Sequence, residues 1–195
     1  MRRRHAAFEE FTLDTPGLGR FNAASPEAAE AALLSCCGSR RWAQRLAGHR
    51  PYATLDVLLA AADEASYDLS FADLTEALAR ESPVVPHPGT PPAAQTALRA
   101  AHAAYESRFG HAFVISFDGH QPEDCLNHVL AEIHTRLSHD PDKERSVAAD
   151  ELRRLARSRI PRAIAGLTGC RPGRRPGRQP ESGAELHTVS PAGRT

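Results

Sequence analysis

The chain has 195 residues, enough for one domain with tails and a core that needs no covalent staples. Its 24 lysines and arginines balance its 24 aspartates and glutamates, which argues against a global basic field for nucleic acid or an anionic membrane. No apolar run approaches the roughly 18 residues of a membrane span, and no apolar core follows the basic start Met1-Arg2-Arg3-Arg4-His5, so a cytoplasmic protein without a secretory signal is expected.

Residues 1–19 are charged and broken by Gly and Pro, and read as a flexible N-terminal arm. Ser25 is a suitable N-cap, Pro26 fits the first helical position and Glu27 favours the dipole, so a helix is predicted to run to Gly38. Ser39 to Gly48 forms a short second helix carrying Trp42 and Leu46. Thr54 caps a third, with Leu55, Leu58, Leu59 and Ala62 on one face. Ser70 with Asp73 resembles a capping box and opens a fourth helix that runs into Pro83.

A proline-set stretch follows, Ser82-Pro83-Val84-Val85-Pro86-His87-Pro88. Proline fixes φ and restricts the residue before it, so His87 is expected on stiff, extended backbone. An imidazole with a defined direction suits general acid or base chemistry near neutral pH; the alternative is a proline-rich linker with an incidental histidine. A fifth helix is predicted over Ala93–Phe109. Ala112–Phe117 is a short apolar run, either extended or a buried connector, and its backbone groups could hydrogen-bond a planar ligand away from water.

Pro122 opens a sixth helix with Leu126, Val129, Leu130, Ile133 and Leu137 at helical spacing. Asp140-Pro141 starts the last, which Pro161 should end or kink. The remainder, 169–195, is rich in Pro, Gly and Arg and is expected to be a disordered tail. The fold class is therefore an all-α, single-domain bundle of about seven helices over 20–168.

Few other groups carry a chemical signature. His128, His134 and His139 lack metal-binding spacing and read as solvated surface histidines. Cys36, Cys37, Cys125 and Cys170 show no CxxC or Cys/His pattern, and no activating motif adjoins Cys36 or Cys37, which read as buried structural thiols. Arg153, Arg154 and Arg157 read as a solvated face. Arg159, four after Leu155 and seven after Leu152, falls on the apolar face instead. There it needs a carboxylate, a carbonyl or an anionic ligand.

Five segments in series resemble the 2-oxo-4-hydroxy-4-carboxy-5-ureidoimidazoline (OHCU) decarboxylase family. They are Phe21-Asn22, LLSCCGSRRWAQRLAGHRPY at 33–52, LARESPVVPHP ending at Pro88, AYESRFGHAFVI at 104–115, and HDPDKERSVAADELRRLARSRI at 139–160. The resemblance implies a cofactor-independent helical bundle, often a homodimer, that decarboxylates a small ureidoimidazoline to (S)-allantoin in urate degradation. It implies His87 as the catalytic histidine, Pro88 as its orienting neighbour and Arg159 as the substrate-binding arginine. Phe113, Val114 and Ile115 match the segment whose backbone contacts the ring, and Gln95 matches a substrate-binding glutamine.

This chain departs from the family's pattern in places. About 20 residues separate His87 from Phe109, fewer than the pattern has, so the helix carrying its glutamate reads as largely deleted; the nearest equivalent, Ala93-Ala94-Gln95, has alanine in the glutamate's place, His102 replaces an asparagine, and Gly89 replaces a larger residue. The sequence therefore also admits a divergent member with altered or lost activity, acting on another small carboxylate or binding one without turnover. A DNA-binding module built on the basic last helix fits the neutral net charge poorly.

Overall fold

A computed structural model describes residues 17–86, 89–117 and 125–167. Eight helices and no strand lie among them: α1 (Leu18–Ala23), α2 (Pro26–Leu34), α3 (Arg40–Gly48), α4 (Leu55–Tyr67), α5 (Phe71–Leu78), α6 (Pro92–Phe109), α7 (Cys125–Arg136) and α8 (Pro141–Ala165). The chain is all-α, as its patterning implies. Most of the expected arm, 1–16, and the tail from 169 lie outside the described residues, as do His87, Pro88 and Pro122.

Five of the predicted starts, those of α2, α3, α4, α5 and α8, hold because each has a side-chain oxygen to satisfy otherwise orphaned N–H groups. Ser25, Ser39 and Thr54 accept from the backbone of Ala28, Trp42 and Val57, and Ser70 and Asp73 form a reciprocal capping box. Asp140 accepts from Asp142 and Lys143 at the start of α8.

Two apolar clusters fill the interior. The larger joins α1–α5 to the buried face of α8; the smaller lies between α6 and α7. Trp42 pins α3 to α4 by donating from its indole to the Ala62 carbonyl and the Ser66 hydroxyl, each at 3.1 Å. The non-helical stretch after α6 is the seam between the clusters. Val114 packs into the larger one and its neighbours Phe113 and Ile115 into the smaller, the alternation that an extended chain imposes. Ala112–Phe117 is thus a buried connector.

Several expectations are corrected. Leu18 and Gly19, assigned to the arm, belong to α1, and Leu18 is buried. Helix α8 does not end at Pro161 but continues through it to Ala165. An interior proline costs about 3 kcal/mol, and buried Ile160 and Ile164 offset it. The last turn is also held from outside: Arg20 donates to the Ala165 carbonyl at 2.9 Å, and a Cβ on Gly17 would lie 2.8 Å from Ala165 N. Arg154 and Arg157 are exposed, as a solvated face requires, but Arg153 is not: its side chain is 20% exposed and lies 3.3 Å from Asp63 on α4, which Arg157 also reaches at 2.7 Å. His139 is not solvated either: its Nδ1 lies 2.9 Å from a carboxylate oxygen of buried Glu144.

Candidate active site

Arg159 sits on α8 with its guanidinium half-buried, as its place on the apolar face requires. Nη1 donates to the Cys36 carbonyl at 3.1 Å and to Glu81 Oε1 at 2.7 Å, while Nη2 donates to Glu81 Oε2 at 2.9 Å. The hydrogen bonds to Glu81 hold the guanidinium above its ordinary pKa, against the opposing effect of burial. The carboxylate is presented rigidly. After α5 ends, the N–H groups of Arg80 and Glu81 bond back to the Ala77 and Leu78 carbonyls, each at 3.1 Å, before the prolines force the chain to extend.

A cleft of about 360 Å³ opens beside this pair. Its walls are Leu34, Ser35 and Gly38 at the α2–α3 turn, Arg80, Glu81 and Ser82 after α5, and Arg159. The close passage of the Arg80 stem explains Gly38: a Cβ there would lie 2.7 Å from Arg80 Cδ and 2.8 Å from its Cβ. The next residues, Ser82–Pro86, are non-helical and lead directly to His87.

Cys36 and Cys37, beneath the cleft, are buried, and burial pushes both thiols up to about 11. They stay uncharged at neutral pH and act as packing groups rather than nucleophiles. Among the described residues no group of three or more His, Cys, Asp or Glu could hold a metal ion, and no helix is long and apolar enough to cross a membrane.

The other sequence-predicted residues are spread more widely. Gln95 donates to the Thr90 carbonyl at 2.8 Å, closing the turn before α6, which has no side-chain cap. Phe113, Val114 and Ile115 are buried but do not line the cleft beside Arg159. Ile115 borders a separate polar depression with Ser116, His128 and Glu151. Backbone groups in this segment are already committed: the Val114 carbonyl accepts from Arg136 at 2.7 Å, and the Ser116 N–H donates to Glu151 at 2.7 Å.

That Arg136 belongs to a buried network that patterning did not reveal. Its Nε and Nη2 donate to Glu144 Oε1 at 2.9 and 2.5 Å, and its guanidinium lies 4.5 Å from the Phe113 ring centroid. The Tyr105 hydroxyl also bonds Glu144. Glu81 is the other residue that the motifs did not mark as a partner of Arg159. Its only signal in the sequence is that it lies six residues before His87.

His102, the replacement for an asparagine, is buried on α6 beside Phe113, with ring centroids 6.0 Å apart. Neither ring nitrogen makes a well-formed hydrogen bond among the described residues, although backbone of Val84 is close enough to act on it. Burial lowers its pKa, so it is neutral at pH 7.

The sequence pattern described as OHCU decarboxylase matches residues 22–88 and 85–161. The two pieces overlap at 85–88, the stretch containing His87. None of the curated proteins matches the chain in sequence. Among solved structures, a crystal structure of OHCU decarboxylase in the presence of (S)-allantoin is similar with a TM-score of 0.61 and 20% identity, over 73% of this chain and 99% of that one. A crystal structure of (S)-allantoin synthase gives a TM-score of 0.59 and 18% identity over 75% of this chain. It covers 54% of that chain, so the present protein spans about half its length. With the family pattern running through most of its helical domain, the chain belongs to the OHCU decarboxylase family.

Proposed function

We propose that this protein decarboxylates 2-oxo-4-hydroxy-4-carboxy-5-ureidoimidazoline to (S)-allantoin, in the degradation of urate. The observation that carries the reading is the family match running through both His87 and Arg159, with Arg159 lining a cleft of ligand size. The chemistry suits the groups. When the bond to the carboxylate carbon breaks, CO2 leaves and the electron pair delocalises into the adjacent carbonyl or imine of the ring. The protein has to hold the anion, stabilise charge on the ring and deliver one proton to one face of the carbon. Arg159 is the anion clamp and His87 the proton donor, with Pro88 orienting it. Phe113, Val114 and Ile115, which the family resemblance assigns to the ring, lie away from this cleft and are given no part in holding it, and Gln95 stands at the entry to α6.

A second reading, a family member that binds a small carboxylate without turning it over, has one observation in its favour: Glu81 already fills one edge of Arg159. One experiment decides between them. The substrate is generated in situ from urate with urate oxidase and hydroxyisourate hydrolase, and (S)-allantoin is followed by circular dichroism. Wild type should form it faster than buffer, and His87→Ala should lose about 10²–10⁴-fold, the usual contribution of general acid–base catalysis. A wild-type rate equal to buffer would reject turnover.

A further inference from the structure

The donor inventory of Arg159 bears on which ligands the cleft accepts. A guanidinium has five N–H groups in a rigid fork. Nη1 gives its two to Cys36 and Glu81, and Nη2 gives one to Glu81. Nε–H and the second Nη2–H, which together form the other bidentate edge, have no partner among the described residues. Two parallel N–H groups of this kind match a carboxylate.

Charge narrows the choice further. Arg80 and Arg159 line the cleft with Glu81 between them in chemistry, so its walls carry one positive charge in excess. Arg80 keeps most of its own charge available, since its nearest carboxylate, Glu76, is 3.9 Å away and bonds Arg40 at 2.7 Å. Glu81 cannot easily retreat to water, because only 9% of its side chain is exposed.

We propose that Glu81 is the specificity-determining residue of this cleft. It takes one edge of Arg159, leaves the other for a ligand, and limits the excess charge so that a ring compound with a single carboxylate is accepted over a dicarboxylate. The inference rests on Arg159 being the anion clamp, and it identifies the ligand class as small cyclic monoanions.

Isothermal titration of the full chain with pyridine-2-carboxylate and pyridine-2,3-dicarboxylate at neutral pH tests it, since these probes differ by one carboxylate. Wild type should prefer the monocarboxylate at least tenfold. Glu81→Gln should shift that preference toward the dicarboxylate by at least tenfold, whereas Glu81→Asp, which keeps the charge, should retain it. A general loosening of the cleft would weaken both probes alike and leave their ratio unchanged. Should Glu81→Gln fail to fold, Arg80→Gln carries the test: removing the excess charge should weaken the monocarboxylate about tenfold. An unchanged ratio in Glu81→Gln, unchanged binding in Arg80→Gln, or no binding of either probe to wild type would overturn the proposal. Titration does not depend on turnover. A wild type that shows the preference, lost in Glu81→Gln, yet forms no (S)-allantoin supports Glu81 as the selector and removes the proposed reaction.

Discussion

Two arginine–glutamate pairs organise this molecule, and they differ in what surrounds them. Arg136 and Glu144 have side chains only 2% and 1% exposed, and their remaining polar atoms are taken up by Tyr105, His139 and the Val114 carbonyl. Arg159 and Glu81 are 36% and 9% exposed, and one edge of the guanidinium has no partner among the described residues. The first pair ties α6, α7, α8 and the connector between the two apolar clusters into one register. The second stands in a cleft wall with hydrogen-bonding capacity left over. An ion pair closed on all sides is architecture; one with donors to spare beside a cleft is a candidate site.

The largest expected effect lies at the sealed pair. Removing one partner strands a buried charge, so Arg136→Met should cost about 3–5 kcal/mol in urea unfolding. Adding Glu144→Gln removes that stranded charge while keeping an acceptor for Tyr105, and should recover part of the loss. A cost below about 1 kcal/mol for Arg136→Met would erase the contrast between the pairs, because that is the range of exposed ion pairs.

A smaller effect follows from pH. Burial pushes the Glu144 carboxyl up, but hydrogen bonds from Arg136 and Tyr105 and the Arg136 charge outweigh it and hold it below its ordinary value of 4.5. The fold therefore favours the ionised form. Its contribution is complete above pH 4.5 and is lost as pH falls through the lower folded value. The urea midpoint of wild type should drop across that acid window, and the drop should be shallower in the Arg136→Met/Glu144→Gln variant. Equal slopes would mean that Glu144 is not a source of acid sensitivity.

Legibility in the sequence follows the same division. The starts of α2, α4, α5 and α8 were readable because a cap is a local device, settled within three residues of Ser25, Thr54, Ser70 or Asp140. Arg159 was readable because helical periodicity placed a charge on an apolar face. Its partner was not, since Glu81 is 78 residues away and looks like one more charge in Arg80-Glu81-Ser82. Glu144 carried no signal for the same reason, with Tyr105 and Arg136 separated from it by 39 and 8 residues. The run of α8 beyond Pro161 was not legible because its last turn is supported from α1, at the other end of the chain. Family-like residues also divide: Asn22 exchanges two hydrogen bonds with the Tyr52 backbone, at 2.8 and 3.0 Å, and so joins α1 to the turn after α3.

The most direct test compares Arg159→Lys with wild type for (S)-allantoin formation from substrate generated in situ, with the urea midpoint measured on both. Lysine keeps the charge but lacks the planar fork. The clamp role of Arg159 predicts at least a tenfold loss in kcat/KM with the urea midpoint nearly unchanged. Wild-type kinetics in Arg159→Lys would contradict it.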